Sequence, residues 1–448
     1  MTTRYYDPEI FNHCFEGIDR TNHIVATYFM DDELPGEDFI DHFSLIQSMA
    51  VEGSTGTWQK VAEETDEVRR KLSGKMVGYF EIPTGSACRR AAVVQLAFPI
   101  DAWIDNVPMM LLSIAGNCFA FSPKLRLLDV FMPENLLAKF QGPKFGVPGI
   151  RELLKVPTRP LSLHIIKPKM GMTPQQVADQ CYQTAMGGAD MMKDDEMTSD
   201  VYNSKYEDRV KAVRDAQEKA EAKTGKHTIY FVSITDEPRR IFDKAARAVE
   251  LGARGLLVCY SAGLPVLRQL AEDPQIKVPI LLHGSHMIAA QPRISWPVFA
   301  KLVRLCGGDL MLTPTYWSSI PMVSLEEGLR TAQVKLAPMG HIKPMFPMPC
   351  AGVYPGLTPI LIGEYGTDIV IPSGGGMLGH PDGYTAGAKS WQQAIAGTLS
   401  GEDFLTFAKK PENKELRRAI EKWGYFERPK TPWLRVSPKY QPKPMRLD

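Results

Sequence analysis

Residues 161–196 read LSLHIIKPKMGMTPQQVADQCYQTAMGGADMMKDDE. A short apolar run, Leu161–Ile166, ends in Lys167-Pro168-Lys169. An amphipathic segment, Pro174–Met186, follows, and a second apolar run, Ala189–Met192, ends in Lys193-Asp194-Asp195-Glu196. Apolar runs without alternation predict strands buried on both faces, hence a parallel sheet with helices between its strands. The same unit recurs downstream. Further runs are Thr228–Ile234, Gly255–Cys259, Pro279–His283, Leu310–Thr313, Lys343–Phe346 and Asp368–Ile371. Between or after them lie helical patterns at Glu207–Lys223, Ile241–Leu251, Leu264–Ala271, Trp296–Cys306, Leu325–Val334, Gly356–Glu364 and about Tyr384–Leu399. Eight strand–helix units in roughly 250 residues predict a (β/α)8 TIM barrel rather than a doubly wound sheet.

Upstream the pattern is irregular. His23–Phe29, Lys75–Glu81 and Ala91–Pro99 read as strands, and Asp38–Met49 carries helical spacing. This predicts an α+β domain with an antiparallel sheet. The expected division is an N-terminal α+β domain over 1–145, a barrel over 146–425 and a charged, proline-rich tail over 426–448 that packs on the barrel or on a partner subunit.

Composition removes several classes. The chain has 448 residues, of which 44% are hydrophobic and 23% charged, so a sizeable core is available and global disorder is excluded. Lys and Arg number 52 against 51 Asp and Glu. No basic excess exists to neutralise a phosphate backbone, so no nucleic-acid partner is expected. The seven cysteines are scattered without a CxxC pair, which predicts free thiols in a reducing compartment. No run of about 18 apolar residues occurs and no signal peptide is apparent. A cytoplasmic protein without a membrane partner is expected.

In a barrel, chemistry gathers at the C-terminal ends of the strands. Four strand ends here carry polar residues: Lys167 and Lys169; Lys193, Asp195 and Glu196; His283 and His286; and Ser373-Gly374-Gly375-Gly376. Strand alternation puts Lys193 and Asp195 on one side and Asp194 on the other. Two carboxylates at one strand end suit a hard cation such as Mg²⁺. Lys193 is either their ion-pair partner or, after adding CO2, a carbamate ligand; spacing leaves both open. The glycines, with Gly352 after the seventh strand, suit a phosphate cradle of backbone N–H groups. His283 is a candidate proton shuttle, and Lys167 and Lys169 are candidates for base or enolate stabiliser.

Together these residues resemble the rubisco large-chain superfamily. The resemblance rests on Glu52-Gly-Ser-Thr-Gly-Thr57-Trp58, Ala115-Gly-Asn117, Phe140-Gln-Gly-Pro-Lys, Ile166-Lys167-Pro168-Lys169-Met-Gly171, Gly187 through Glu196, and Ser373-Gly-Gly-Gly-Met-Leu-Gly-His-Pro. They stand in the family's order between about residues 20 and 425. The resemblance implies a ferredoxin-like N-terminal domain, a barrel and a homodimer with shared active sites and no small subunit. It also implies one Mg²⁺ per subunit, held by a CO2-derived carbamate on Lys193 with Asp195 and Glu196. Lys167 would be the enolising base or its helper and Lys169 the neighbour of the enolate. Glu52, Thr57, Trp58 and Asn117 would enter the partner's site.

The departures from the carboxylating pattern are specific. Gly284 stands where an arginine follows the fifth-strand histidine, and Leu312 stands where a sixth-strand histidine belongs. The loop Pro314–Ser324 has no lysine, and Cys350 replaces a serine. One phosphate site is therefore expected rather than two, in a non-carboxylating rubisco-like protein. The favoured reaction is carbon–carbon lysis, as a decarboxylase or transcarboxylase-hydrolase, on a 3-oxo sugar-acid phosphate of the apionate type. The resemblance also admits an enolase or isomerase of a methylthio-ribulose-type phosphate in sulfur salvage. Members of that enolase group tend to carry lysine at the Asn117 position and to lack the second lysine of Lys-Pro-Lys, which set the balance toward lysis. A non-catalytic binding or regulatory protein is the remaining class.

Overall fold

The computed structural model describes residues 6–33, 41–56, 61–86 and 88–426. It contains two compact units. The first comprises residues up to Gln141 together with Met287–Leu305 and Met339–Ile342. The second holds Gly142–His286, Cys306–Pro338 and the residues from Lys343 onward.

The first unit is built on four antiparallel strands: β1 (His23–Glu33), β2 (Lys75–Ile82), β3 (Arg89–Pro99) and β4 (Arg126–Phe131). Their hydrogen-bonded order is β2-β3-β1-β4. The helix His42–Glu52 lies between β1 and β2 in sequence, and Val107–Ala115 lies between β3 and β4. This is the ferredoxin-like arrangement. Asp41 starts the first of these helices, its Oδ1 accepting from the N–H groups of Phe43 and Ser44 at 3.1 and 3.3 Å. The start of the expected helix, residues 38–40, lies outside the described residues. β4 and Val107–Ala115 had no counterpart in the pattern read from sequence. The latter is apolar on every side, so it has no stripe to betray its period. The helix Trp296–Leu305, expected among the barrel helices, belongs to this unit. Its approach is tied to β4: Leu127 N–H donates to Arg293 O at 2.8 Å, and Ser295 N–H donates to Leu127 O at 3.0 Å.

The second unit carries eight parallel strands: β5 (Leu161–Ile165), β6 (Met191–Lys193), β7 (Ile229–Ser233), β8 (Gly255–Cys259), β9 (Ile280–His283), β10 (Leu310–Pro314), β11 (Phe346–Cys350) and β12 (Val370–Ser373). Their order is β11-β10-β9-β8-β7-β6-β5-β12, a nearly closed barrel. Leu161, Leu163, Met191, Phe231, Leu257, Leu281, Leu310, Leu312, Phe346, Met348 and Val370 fill it as one apolar cluster. The helix Gly146–Leu154 adds Val147, Ile150 and Leu154. Asp309 holds the start of that helix, one carboxylate oxygen accepting from Phe145 and Gly146 N–H at 2.7 Å and the other from Ile280 N–H at 2.8 Å.

The last two strands sit C-terminal to the runs read from sequence, at 346–350 instead of 343–346 and at 370–373 instead of 368–371. The cause is proline. Pro347, Pro349 and Pro372 lie inside these strands, where proline is uncommon because it cannot donate to a ladder. Phe346 N–H donates to Asp309 O, so the residues alternating with it turn their backbone away from β10. Leu161 N–H donates to Ile369 O, so Val370 and Pro372 turn away from β5. All three donor-less nitrogens therefore face the seam between β11 and β12. The two strands lie side by side there without a ladder. Among the described residues no helix is long and apolar enough to cross a membrane, and all seven cysteines are free.

Candidate active site

The loop after β5 and the exit of β6 meet through paired charges. Lys167 Nζ donates to Asp195 Oδ2. Lys169 Nζ donates to Glu196 Oε1 and stands 3.4 Å from Asp195 Oδ1. The hydrogen bond to Glu196 raises the Lys169 pKa above the ordinary lysine value. Burial alone would raise the Glu196 carboxyl, but its contacts with Asp195 and Lys169 outweigh it and hold it at about 2. Both loops are braced further: Thr198 Oγ1 donates to Lys169 O, and Asn203 Nδ2 donates to Gly171 O at 3.2 Å.

Lys193, the last residue of β6, is fully buried and donates to Asp194 O at 2.8 Å. Burial pushes its pKa down, against the pull of Asp195 and Glu196. Asp194 points the other way, as strand alternation requires. It accepts from Tyr230 Oη at 2.6 Å, Ser233 N–H at 2.9 Å and Arg209 at 3.0 Å, all fully or nearly fully buried. Asp194 thus fixes the backbone from which its two neighbours project inward. Arg209 and Tyr230 were not anticipated; nothing in their spacing to Asp194 marks them.

His283 ends β9. Its Nδ1 accepts from Ser285 N–H at 3.3 Å, which leaves Nε2 as the proton-bearing nitrogen, 3.5 Å from Glu196 Oε2. Burial, helped by Lys193, holds its pKa well below the ordinary histidine value, so the ring is neutral. His286 lies beside Tyr260, 6.3 Å between ring centroids with the rings tilted by 57°.

Gly374 and Gly375 follow β12. Gly375 opens the short helix Gly375–Leu378, whose first N–H groups have no acceptor within the helix. A Cβ on Gly375 would meet nothing within 4 Å, so the space before it is open. One on Gly374 would lie 3.4 Å from the Lys167 side chain, which places this turn beside the lysine. Gly352 has φ +78° and its carbonyl accepts from Ser319 N–H at 3.1 Å and Ser319 Oγ at 3.0 Å. The lysine-free loop after β10 is thereby fastened to the turn after β11. Cys350, at the end of β11, is a thiol that burial pushes up to about 12.

In the N-terminal unit Asn117 Nδ2 donates to Glu52 Oε1 at 2.9 Å. Thr57 and Trp58 lie outside the described residues.

Can these residues hold a divalent cation? Among the described residues no group of three or more His, Cys, Asp and Glu forms a metal site. Asp195 and Glu196 supply two carboxylates, and a third anionic ligand would be available beside them if Lys193 were converted to a carbamate. Three observations fit that arrangement. Asp195 Oδ1 is buried without a hydrogen-bond partner and faces the Lys169 ammonium at 3.4 Å, so it has room for a closer ligand. Two lysine ammoniums stand against the carboxylates, occupying the place of a cation. And Lys193 is fully buried, where desolvation lowers its pKa and so disfavours the ammonium form.

With that geometry in place, similarity to known proteins becomes informative. A rubisco-like protein of known structure from Alicyclobacillus acidocaldarius superposes with a TM-score of 0.81 at 32% identity, covering 90% of this chain and all of that one. The ribulose bisphosphate carboxylase-like protein of Archaeoglobus fulgidus is 38% identical over 91% of this chain and 94% of its own length. The 2,3-diketo-5-methylthiopentyl-1-phosphate enolase of Geobacillus kaustophilus is 32% identical over 90% and 98%. Residues 17–136 match the N-terminal domain of the ribulose bisphosphate carboxylase large chain and residues 146–423 match its catalytic domain. The chain belongs to the ribulose bisphosphate carboxylase large-chain family.

Proposed function

We propose that the protein is an enolising enzyme that acts on a phosphorylated 2,3-diketone of the 2,3-diketo-5-methylthiopentyl-1-phosphate type and does not fix CO2. The observation that carries the reading is the Lys167–Asp195 and Lys169–Glu196 pairing around buried Lys193. Members of the family generally use Mg²⁺ with a carbamylated lysine, and the ligands here would be that carbamate on Lys193, Asp195 and Glu196. Bound there, Mg²⁺ would polarise the substrate carbonyl and acidify the neighbouring C–H.

The chain's own groups do the rest. Lys167 Nζ, once deprotonated, takes the α-proton, and the electron pair of the broken C–H bond forms the enol double bond. Lys169, still an ammonium, donates to the oxygen on which charge develops. The neutral His283 offers Nε2–H as a donor from the opposite strand. The amides of Gly374, Gly375 and Gly352 hold the single phosphate. Gly284, Leu312 and the lysine-free loop offer no charged partner for a second phosphate or for incoming CO2.

The favoured reaction of the sequence reading, lysis of a 3-oxo sugar-acid phosphate, gives way to the enolase, because a relative aligned along nearly its whole length carries the enolase name. Lysis keeps one observation in its favour: Asn117 and Lys169 both stand where the enolase group tends to differ. One experiment separates them. The purified protein is given Mg²⁺, bicarbonate and each candidate substrate, with solvent-deuterium incorporation and carbon release followed by NMR. Deuterium at the α-carbon and enol formation from the diketone support the proposal. Inertness toward the diketone with carbon release from the sugar acid overturns it in favour of lysis. A homodimer is proposed for the assembly, with sedimentation velocity as its test.

A further inference from the structure

Lys167 hangs on a loop, and a base on a loop needs something to aim it. The structure supplies a chain of buried polar side chains for this purpose. Gln180, on the helix Pro174–Met186, grips the backbone of Lys167 at both ends. Its Nε2 donates to Lys167 O at 2.9 Å and its Oε1 accepts from Lys167 N–H at 3.3 Å. The same Oε1 lies 3.0 Å from Nε2 of His164 on β5. Nδ1 of His164 lies 3.1 Å from Thr184 Oγ1, one turn farther along the helix.

These contacts fix the histidine tautomer. Gln180 Oε1 can only accept, so His164 carries its proton on Nε2. Nδ1 is then an acceptor, and the one proton of the Thr184 hydroxyl is shared among it and the carbonyls of Gln180 and Cys181, each at 3.1 Å. His164 and Thr184 are fully buried and Gln180 nearly so. Burial lowers the His164 pKa to about 3, so the ring stays in this one tautomer across the working pH range. Leu161 and Leu163 face the barrel core while His164 faces the helix, which places the relay in the layer between sheet and helix.

A stretch of apolar packing between strand and helix would have been cheaper than three buried polar groups. What the polar set adds is direction: it ties the helix to the one backbone position that carries Lys167. We propose that Gln180 is a positioning residue for Lys167, held in register by His164 and Thr184. The inference rests on Lys167 being the proton-abstracting group of the function proposed above.

The test compares wild type with Gln180→Met, which keeps the volume and loses both backbone contacts, and with Thr184→Val, which removes only the distal hydroxyl. Misplacing a reacting group by about 1 Å costs up to ~100-fold, so Gln180→Met is expected to lower kcat about 10- to 100-fold. KM and the Mg²⁺ requirement stay near wild type, and the primary deuterium isotope effect on kcat rises as proton abstraction becomes slower. Thr184→Val is expected to lower kcat by a few-fold in the same pattern, and it decides the matter if Gln180→Met does not fold. Wild-type kcat and isotope effect in the variant that folds overturn the proposal. So does a parallel loss of kcat, KM, Mg²⁺ affinity and melting temperature, which marks a general structural role. If wild type itself fails to enolise the diketone, the proposed function falls, and crystal structures decide this inference alone: Lys167 Nζ leaving Asp195 in Gln180→Met supports it, and an unmoved Lys167 overturns it.

Discussion

The β5–β6 corner of the barrel mouth and the β10–β12 corner are built on opposite principles. At β5–β6, Lys167, Lys169, Lys193, Asp195 and Glu196 crowd together; Lys193 and Asp195 are fully buried, and the two loop lysines pair with carboxylates. At β10–β12 stand Leu312, Cys350, Gly352, Gly374 and Gly375, with neutral backbone and open space before Gly375. Buried charge must be paired or must bind something, so the first corner is over-determined, and it is where the proposed reacting groups stand. Backbone amides need no counter-charge, so the second corner can stay empty until a phosphate arrives.

That contrast breaks first at Lys193 and Asp195. Lys193→Ala and Asp195→Asn are each expected to abolish Mg²⁺-dependent turnover, a loss of at least about 100-fold by the scale of single electrostatic groups in active sites. Circular dichroism should show the fold intact, and calorimetry should show Mg²⁺ binding lost. Full activity of Lys193→Ala without bicarbonate would exclude a carbamate role.

At the other corner, Gly375→Val should act on binding instead. A charge-assisted hydrogen bond contributes about 1.5–3 kcal/mol, so KM for a phosphorylated substrate should rise roughly 10- to 100-fold. The dephosphorylated analogue should be little affected. The empty space around Gly375 lets the side chain in without strain on the fold. Equal losses for both compounds would mean that the phosphate binds elsewhere.

Carboxylation of ribulose bisphosphate should be absent for a related reason: Gly284, Leu312 and the loop Pro314–Ser324 carry no charged side chain for a second phosphate. Radiolabelled CO2 incorporation above background would be the contrary result.

The smallest effect concerns Lys335, a lysine buried beneath this corner. Its Nζ donates to Met311 O at 2.9 Å and Thr313 Oγ1 at 3.2 Å, both neutral acceptors, and burial lowers its pKa to about 7. The unfolded chain holds that proton up to about pH 10.4. Between about 7 and 10.4 the unfolded state therefore binds more protons, and folding gains stability as pH rises. Lys335→Met should raise the melting temperature most at pH 6, and the advantage should shrink by pH 10. A pH-independent difference between the two proteins would contradict this sign.

How far the sequence reached follows the same division. β5 and β8 were legible almost to the residue because their cores are continuous apolar runs. The clustering of these charges was legible because Lys-Pro-Lys and Lys-Asp-Asp-Glu each concentrate charge at a strand end. Pro347, Pro349 and Pro372 hid the ends of β11 and β12, since which way a backbone nitrogen faces is a property of the sheet and not of the string. Gln180, His164 and Thr184 were invisible for a related reason: a strand residue and a helix residue 16 positions on meet only once the turn between them is formed.

The seam of β11 and β12 has a mechanical meaning. Elsewhere around the barrel, neighbouring strands are stitched by backbone hydrogen bonds, and moving them apart breaks those bonds. At the proline seam no ladder does this, and the described tie is packing together with the Ser373 hydroxyl, which donates to Val353 O at 3.2 Å just beyond the strands. Gly352 and Gly374 stand just beyond its two lips. The proposed phosphate grip therefore straddles the one pair of neighbouring strands that no ladder joins, while the lysines and carboxylates of the β5–β6 corner stand at or just beyond the ends of two strands joined by a ladder.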